Sequence, residues 1–269
     1  MTAQDHSVAI LRPDSVSAGG RSVAVEAPVA VEIDGLGYAV MMMTPTDLVE
    51  FATGFMLTER LAVTAADVVA VDPFEAEAGW IVRVALSERC RGRIRDRVRH
   101  RTSDTSCGLC GIAGLEQLHR PAPTSAKPKV TPAALFTALA ALRDYQPLSR
   151  ATGAVHAAAS CGPDGNITRA YEDVGRHNAL DKLVGGMALA AETAAFLLVT
   201  SRISYEMVDK ALIGRAPLLV GVSAPTTLAV DHARAHGLTL IALARPDAML
   251  VMNDPWELFG KSACVRLGP

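Results

Sequence analysis

The 269-residue chain has few aromatic side chains, 4% of the total. That argues against the stacking platforms used to hold single-stranded nucleic acid. It also lacks a charge imbalance. Lys and Arg number 26 against 28 Asp and Glu, a formal net charge of −2. No global field then draws the chain to nucleic acid or to an anionic membrane. Cysteines are sparse and odd in number: Cys90, Cys107, Cys110, Cys161 and Cys264. Such a set in a chain this long does not fit a secreted disulfide framework. Long apolar runs are missing too. The most apolar stretch, 187–199, is short and broken by Glu192, so it cannot span a bilayer. The first twelve residues carry Asp5 and His6 and no apolar targeting core. These absences predict a soluble, cytoplasmic protein without a nucleic-acid or membrane partner. What is present is a half-apolar composition with 20% charged residues, which excludes a disordered chain and supports a sizeable core.

The order of signals along the chain predicts an α/β protein with a smaller α+β subdomain in front. Residues 1–22, polar and containing Gly19-Gly20, read as a loose tail. Residues 23–120 read as the small α+β subdomain. Strands at 28–32 and 36–43 flank the turn Asp34-Gly35, and Thr46-Asp47 opens a helix with Leu48, Phe51, Phe55 and Met56 at helical spacing. Further strands fit 65–72 and 80–86. From Arg91 to Arg101, arginine occupies every second position. On a strand this would place six guanidinium groups on one face, either a solvated edge or a surface for phosphate. The glycine-rich stretch 102–114 reads as a mobile loop. Pro121, Pro123, Pro128 and Pro132 mark a linker, and Thr131-Pro132 starts a helix running to about Leu142.

Residues 130–269 read as the larger α/β domain. Apolar strands at 196–200, 218–222 and 238–243 alternate with helices at 179–192, 204–213 and 226–236, which implies parallel neighbours in one sheet. The segments after these strands then share the rim where open α/β sheets bind ligands. That rim carries Ser201, Arg202, Ser223 and Thr226, although Ser201 and Thr226 also suit plain helix capping.

Three motifs could carry chemistry. Cys107-Gly-Leu-Cys110 fits half a zinc site, a redox dithiol or a persulfide-carrying thiol; the preceding arginines favour thiolate. A four-cysteine zinc site would need a second such pair, which is absent. His156 is followed by Ala158 where a zinc deaminase would place its glutamate, so no metal is assigned there. The stretch 171–178 leads into a helix with Gly175, Arg176, His177 and Asn178 at its start. It suits an anionic ligand or, more simply, a charged helix cap.

Together these segments resemble one family, the formate dehydrogenase accessory sulfurtransferases, FdhD. The matching stretches are SCGLCG at 106–111, TGAVHAAA at 152–159, EDVGRHNALDKLVG at 172–185, SRISYEMVDKAL at 201–212 and SAPTTLAVDHARAHGLTLIALAR at 223–245. The resemblance runs over nearly the whole chain after Ser22. It implies a cytidine deaminase-like three-layer domain with a mixed sheet, and a homodimer. It implies a sulfurtransferase that takes sulfur from a cysteine desulfurase as a persulfide on Cys107, with Cys110 as its partner. The sulfur would pass to the molybdenum bis(molybdopterin guanine dinucleotide) cofactor, bound as client before its insertion into the formate dehydrogenase catalytic subunit. By family position the guanine-nucleotide segment is Leu243, Ala244, Arg245, Pro246, Asp247 and Ala248; the helix-start motif adds Arg176 and His177, and topology adds Ser201, Arg202, Ser223 and Thr226. The family often reads Gly-Asp-Arg and an aromatic after the arginine, where this chain has Pro246, Asp247, Ala248 and Met249. Two other readings stay open: a chaperone that only holds the cofactor, and a zinc-dependent deaminase-like hydrolase.

Overall fold

The computed structural model describes residues 2–98 and 122–260, without the side chains of 95–98. The chain opens with a hairpin of β1 (Ala3–Arg12) and β2 (Ser15–Ala24), paired from Ala3 opposite Ala24 to Arg12 opposite Ser15. This corrects the loose tail expected from the sequence. The signal was missed because most residues of both strands are exposed, so no alternation points to a core. Pairing rests on the backbone ladder, and Arg21 ties the hairpin to the body by donating to the Thr152 carbonyl at 2.7 Å.

A four-stranded sheet follows, in the order β4-β3-β6-β5, from β3 (Ala27–Ile33), β4 (Leu36–Met43), β5 (Val68–Ala76) and β6 (Gly79–Leu86). Between β4 and β5 lies α1 (Leu48–Thr58), with nine of its eleven residues buried. Strands β3 and β4 and helix α1 fall where the apolar spacing placed them. The arginine-rich stretch does not: α2 (Glu88–Val98) replaces the expected strand. Cys90 and Ile94, four apart and 0% and 2% exposed, are the stripe that holds it as a helix. Every second position steps about 200° around a helix, so a period of two no longer defines one face.

The second half builds a six-stranded mixed sheet, ordered β12-β11-β10-β9-β7-β8. Its strands are β7 (His156–Cys161), β8 (Ile167–Asp173), β9 (Phe196–Val199), β10 (Leu218–Gly221), β11 (Thr239–Ala242) and β12 (Leu250–Asn253). As expected, β9, β10 and β11 are parallel. Strand β7 runs antiparallel to both β8 and β9, so β8 points the same way as β9. Helices α5 (Arg176–Leu189), α6 (Tyr205–Ile213) and α7 (Thr227–Ala235) cover one face through Leu180, Leu183, Met207, Leu212 and Ala233. Helix α3 (Pro132–Ala141) covers the other through Leu135 and Ala138. Thr131 caps α3 by accepting from Ala134 N, as the Thr-Pro signal predicted. The short α4 (Pro147–Thr152) precedes β7. One apolar core runs from the four-stranded sheet through α1 and α5 to the larger sheet.

Candidate functional site: one rim of the larger sheet

Because β8, β9, β10 and β11 point the same way, their carboxyl ends lie on a single rim, together with the start of β7. The rim is laced by backbone hydrogen bonds. Ile203 N donates to Ala224 O, Thr226 N to Ile203 O, Leu243 N to Ser223 O and Ala244 N to Gly221 O. The rim segments predicted from topology therefore meet in space, and they divide into two ends.

At the β10–β11 end, the turn after β11 closes on itself. Arg245 N donates to Ala248 O at 2.8 Å, and the Arg245 guanidinium donates to the carbonyls of Ala244 and Val222. Leu243 sits at φ 50°, a left-handed conformation that disfavours a leucine, and is held there by its bond to Ser223 O. Ala244 is buried, whereas Arg245, Pro246, Asp247 and Ala248 are exposed. The Thr226 hydroxyl accepts from Ala229 N, so it caps α7.

The β8–β9 end is cationic. Helix α5 begins at Arg176, three residues earlier than the apolar spacing suggested, which puts Arg176 and His177 in its first turn. His156 pairs with Asp173 at the end of β8, and its neighbour Ala157 bonds Thr200 just past β9. His156 is thereby flanked by the turns that carry Arg176 and Arg202. Burial, then the charges of Arg176, Arg202 and His177, push its pKa down. His177 Nε2 lies 3.0 Å from Glu206 Oε2 in the first turn of α6, without the alignment of a hydrogen bond. Ser201 is buried, its hydroxyl donating to Arg202 O; Arg202 is exposed.

Much of the 171–185 motif turns out to hold the fold together. Lys182 Nζ sits 2.7 Å from Asp173 Oδ2, both side chains 0% exposed, and donates to Thr44 O. Asp173 also accepts from Thr44 N and Gly175 N. Asn178 donates to Met42 O, and Asp181 takes bonds from Thr58 and Lys210. Glu172 accepts from Leu148 N and Ser149 N, capping α4. Sequence reasoning missed these ties and the Glu206 contact with His177, which carry no local motif.

Cys107 and Cys110 lie outside the described residues, as do the expected mobile loop and Cys264. Cys90 and Cys161 are both buried, as expected of bystander thiols, and burial pushes the Cys161 thiol up to about 12. Among the described residues no group of three or more His, Cys, Asp or Glu is placed to hold a metal. No helix there is long and apolar enough to cross a membrane.

The comparisons with known proteins agree with the motifs. The model of the FdhD/NarQ family matches residues 24–258. This chain belongs to the FdhD/NarQ family. Among its relatives, the sulfur carrier protein FdhD of Variovorax paradoxus is 41% identical over 244 residues, covering 90% of this chain and 88% of the relative. That of Agrobacterium fabrum is 42% identical over 256 residues, covering 94% and 92%. A crystal structure from Desulfotalea psychrophila, assigned as a formate dehydrogenase accessory protein, shares the fold. Its TM-score is 0.76 at 23% identity, over 96% of this chain and all of that one.

Proposed function

We propose that this protein carries sulfur for the maturation of a formate dehydrogenase. The observation behind this reading is the match to relatives named sulfur carrier protein FdhD over most of both chains, in a sequence that keeps the SCGLCG stretch. The Cys107 thiolate attacks the outer sulfur of a cysteine desulfurase persulfide. A new S–S bond forms at Cys107, the desulfurase S–S bond breaks, and its cysteine leaves as thiolate. The Cys110 thiolate then attacks the Cys107 sulfur: a Cys107–Cys110 disulfide forms, the Cys107–outer sulfur bond breaks, and the outer sulfur leaves with the bond's electron pair as hydrosulfide for the molybdenum bis(molybdopterin guanine dinucleotide) cofactor, the client, before that enters the formate dehydrogenase catalytic subunit. Cys110 serves as the partner thiol. The rim holds the client, the guanine end lying toward 243–248. This reading places the reaction in the cytoplasm, in a homodimer with a cytidine deaminase-like larger domain.

The test is activation of formate dehydrogenase in cells that depend on this chain. Cys107→Ala should abolish activation, and Cys110→Ala should reduce it strongly. Label from cysteine, passed through a desulfurase, should appear on Cys107. Full activation by both variants would end the sulfur-carrying reading and leave one in which the protein only holds the cofactor.

A further inference from the structure

Helix α2 is poorly suited to its own stability. Five of its eleven residues are arginines against two acids, Glu88 and Asp96, in a chain whose net charge is −2. A helix start favours acidic side chains, so Arg89 and Arg91 oppose the dipole there. Only Arg89 is fully paired: it forks onto Asp67 with bonds of 2.6 and 2.8 Å. Arg91 lies 3.8 Å from Asp34, too far for a hydrogen bond, with 62% of its side chain exposed. Arg93 donates one N–H to the Arg60 carbonyl and pairs with no carboxylate among the described residues.

Between these two loosely held arginines sits Gly92, exposed and inside the helix. Glycine weakens a helix interior unless a close neighbour demands it. Here none does: a Cβ at Gly92 would meet no described atom within 4 Å, whereas at Gly54 and Gly185 backbone fills that space. In the same stretch opens a cavity of about 460 Å³, lined by Asp34, Leu36, Arg91 and Ile94. Leu36 in β4 is 45% exposed and Ile94 is buried, so apolar groups and an exposed guanidinium share one opening. An apolar pocket with charge around it is the anatomy of a protein–protein contact. A polyanion would gain nothing from the apolar lining.

We propose that α2 and the cavity beside it, through Leu36, Arg91, Gly92 and Arg93, form the docking surface for the sulfur donor. The partner it fits is a protein surface that presents an apolar side chain flanked by carboxylates. The apolar side chain enters the cavity, the carboxylates meet Arg91 and Arg93, and Gly92 lets the partner close on the helix. The inference rests on the sulfur-carrying reading, and position favours the donor as occupant. Only nine residues separate the end of α2 from Cys107, so the thiol is tethered within at most about 32 Å of the helix. A donor seated on α2 is thus held within reach of the thiol it must load, while the client has the rim of the larger sheet. Exposed arginines act through attraction at a distance, which speeds encounter without fixing a long-lived complex. That suits a donor that must leave after each transfer.

The experiment measures association of the full chain with the cysteine desulfurase of the same cell, at low and high salt. The wild type should bind, and less tightly as salt rises. The double variant Arg91→Glu, Arg93→Glu should weaken binding about tenfold or more, mostly through slower association, and flatten the salt dependence. Leu36→Ser should speed dissociation. Gly92→Leu should raise the urea midpoint, because leucine is the better helix former, and yet weaken binding. A glycine with no role in docking would not move the two readings in opposite directions. Arg143→Glu, at an exposed position just past α3, should bind as the wild type does. The proposal is overturned if the wild type does not bind, if the double variant keeps wild-type affinity, or if Arg143→Glu loses as much. It is also overturned if the double variant changes the chain's own oligomeric mass and leaves desulfurase affinity intact, for then α2 faces a second copy. Cys107→Ala should bind the desulfurase as tightly as the wild type while accepting no labelled sulfur. If arginine-dependent binding persists but wild-type Cys107 takes no label, the sulfur-carrying reading falls and the docking surface stands.

Discussion

Two of the five cysteines are removed from chemistry by their surroundings. Cys90 anchors α2 with 0% exposure, and Cys161 ends β7 inside the core, where burial pushes its pKa up to about 12. A thiol reacts through its thiolate, and a buried neutral thiol presents neither charge nor access. Alkylating the native protein at pH 7.5 should therefore leave Cys90 and Cys161 unmodified, with Cys107 labelled first, as read by peptide mass spectrometry. Rapid labelling of Cys161 without denaturant would contradict the buried placement. The same scale shows what local spacing could reveal. Arg176, His177 and Arg202 could be placed at one rim because each sits in a compact motif or follows a strand. Lys182 could not be placed, because its carbonyl partner at Thr44 is 138 residues away. No local pattern encodes a contact at that separation.

Among the elements, α1 and α5 show how backbone approach is set by side chains that are absent. A Cβ on Gly54 would lie 1.8 Å from Asp181 O, and one on Gly185 would lie 1.8 Å from Glu50 O. The two helices meet backbone to backbone at these reciprocal notches. Because the obstacle is a carbonyl and not a flexible tip, neither helix can yield locally. Gly54→Ala should cost about 3 kcal/mol or more, at the upper end of overpacking penalties, although alanine is the better helix former. A urea midpoint within error of the wild type would show that the helices can part at no cost. Elements were legible in proportion to how regularly they are buried. Strands β9, β10 and β11 stand out because each is an apolar run buried throughout. Strand β7, His-Ala-Ala-Ala-Ser-Cys, is as deep in the sheet but lacks the branched and aromatic residues that advertise a strand. The β1–β2 hairpin and β12 are mostly exposed or half-buried, so hydrophobic alternation says little about them.

At the scale of the molecule, three buried polar ties fasten the front unit to the rim-bearing sheet. Lys182 and Asp173 clasp Thr44 after β4, Lys210 and Asp181 clasp Thr58 at the end of α1, and Arg60 grips Asp209 through two bonds of 2.8 Å. Arg60 closes α1 at φ 58°, a position usually given to glycine, and its bidentate bridge offsets that strain. Asp209 is buried, which alone would raise its pKa. Bonds from His232 and Arg60 outweigh this and hold it at about 2. The ties place α5 and α6, whose first turns carry Arg176, His177 and Glu206 to the rim, and Asp173 sits directly before the start of α5. Lys182→Met tests this coupling. It leaves Asp173 buried without its cation, and breaking such a pair costs about 3–5 kcal/mol. Because the core is continuous, the loss should appear as one cooperative urea transition at a lower midpoint, not as separate melting of the front unit. Burial already pushes Asp173 upward against the pull of Lys182, and without Lys182 its folded pKa rises further above the unfolded value. A carboxyl with a raised folded pKa destabilises the native state most at neutral pH, and that penalty fades as pH falls through the raised pKa. The gap between Lys182→Met and wild type should therefore be widest near pH 7–8 and narrow toward pH 5. A gap independent of pH would show that Lys182 acts by packing alone.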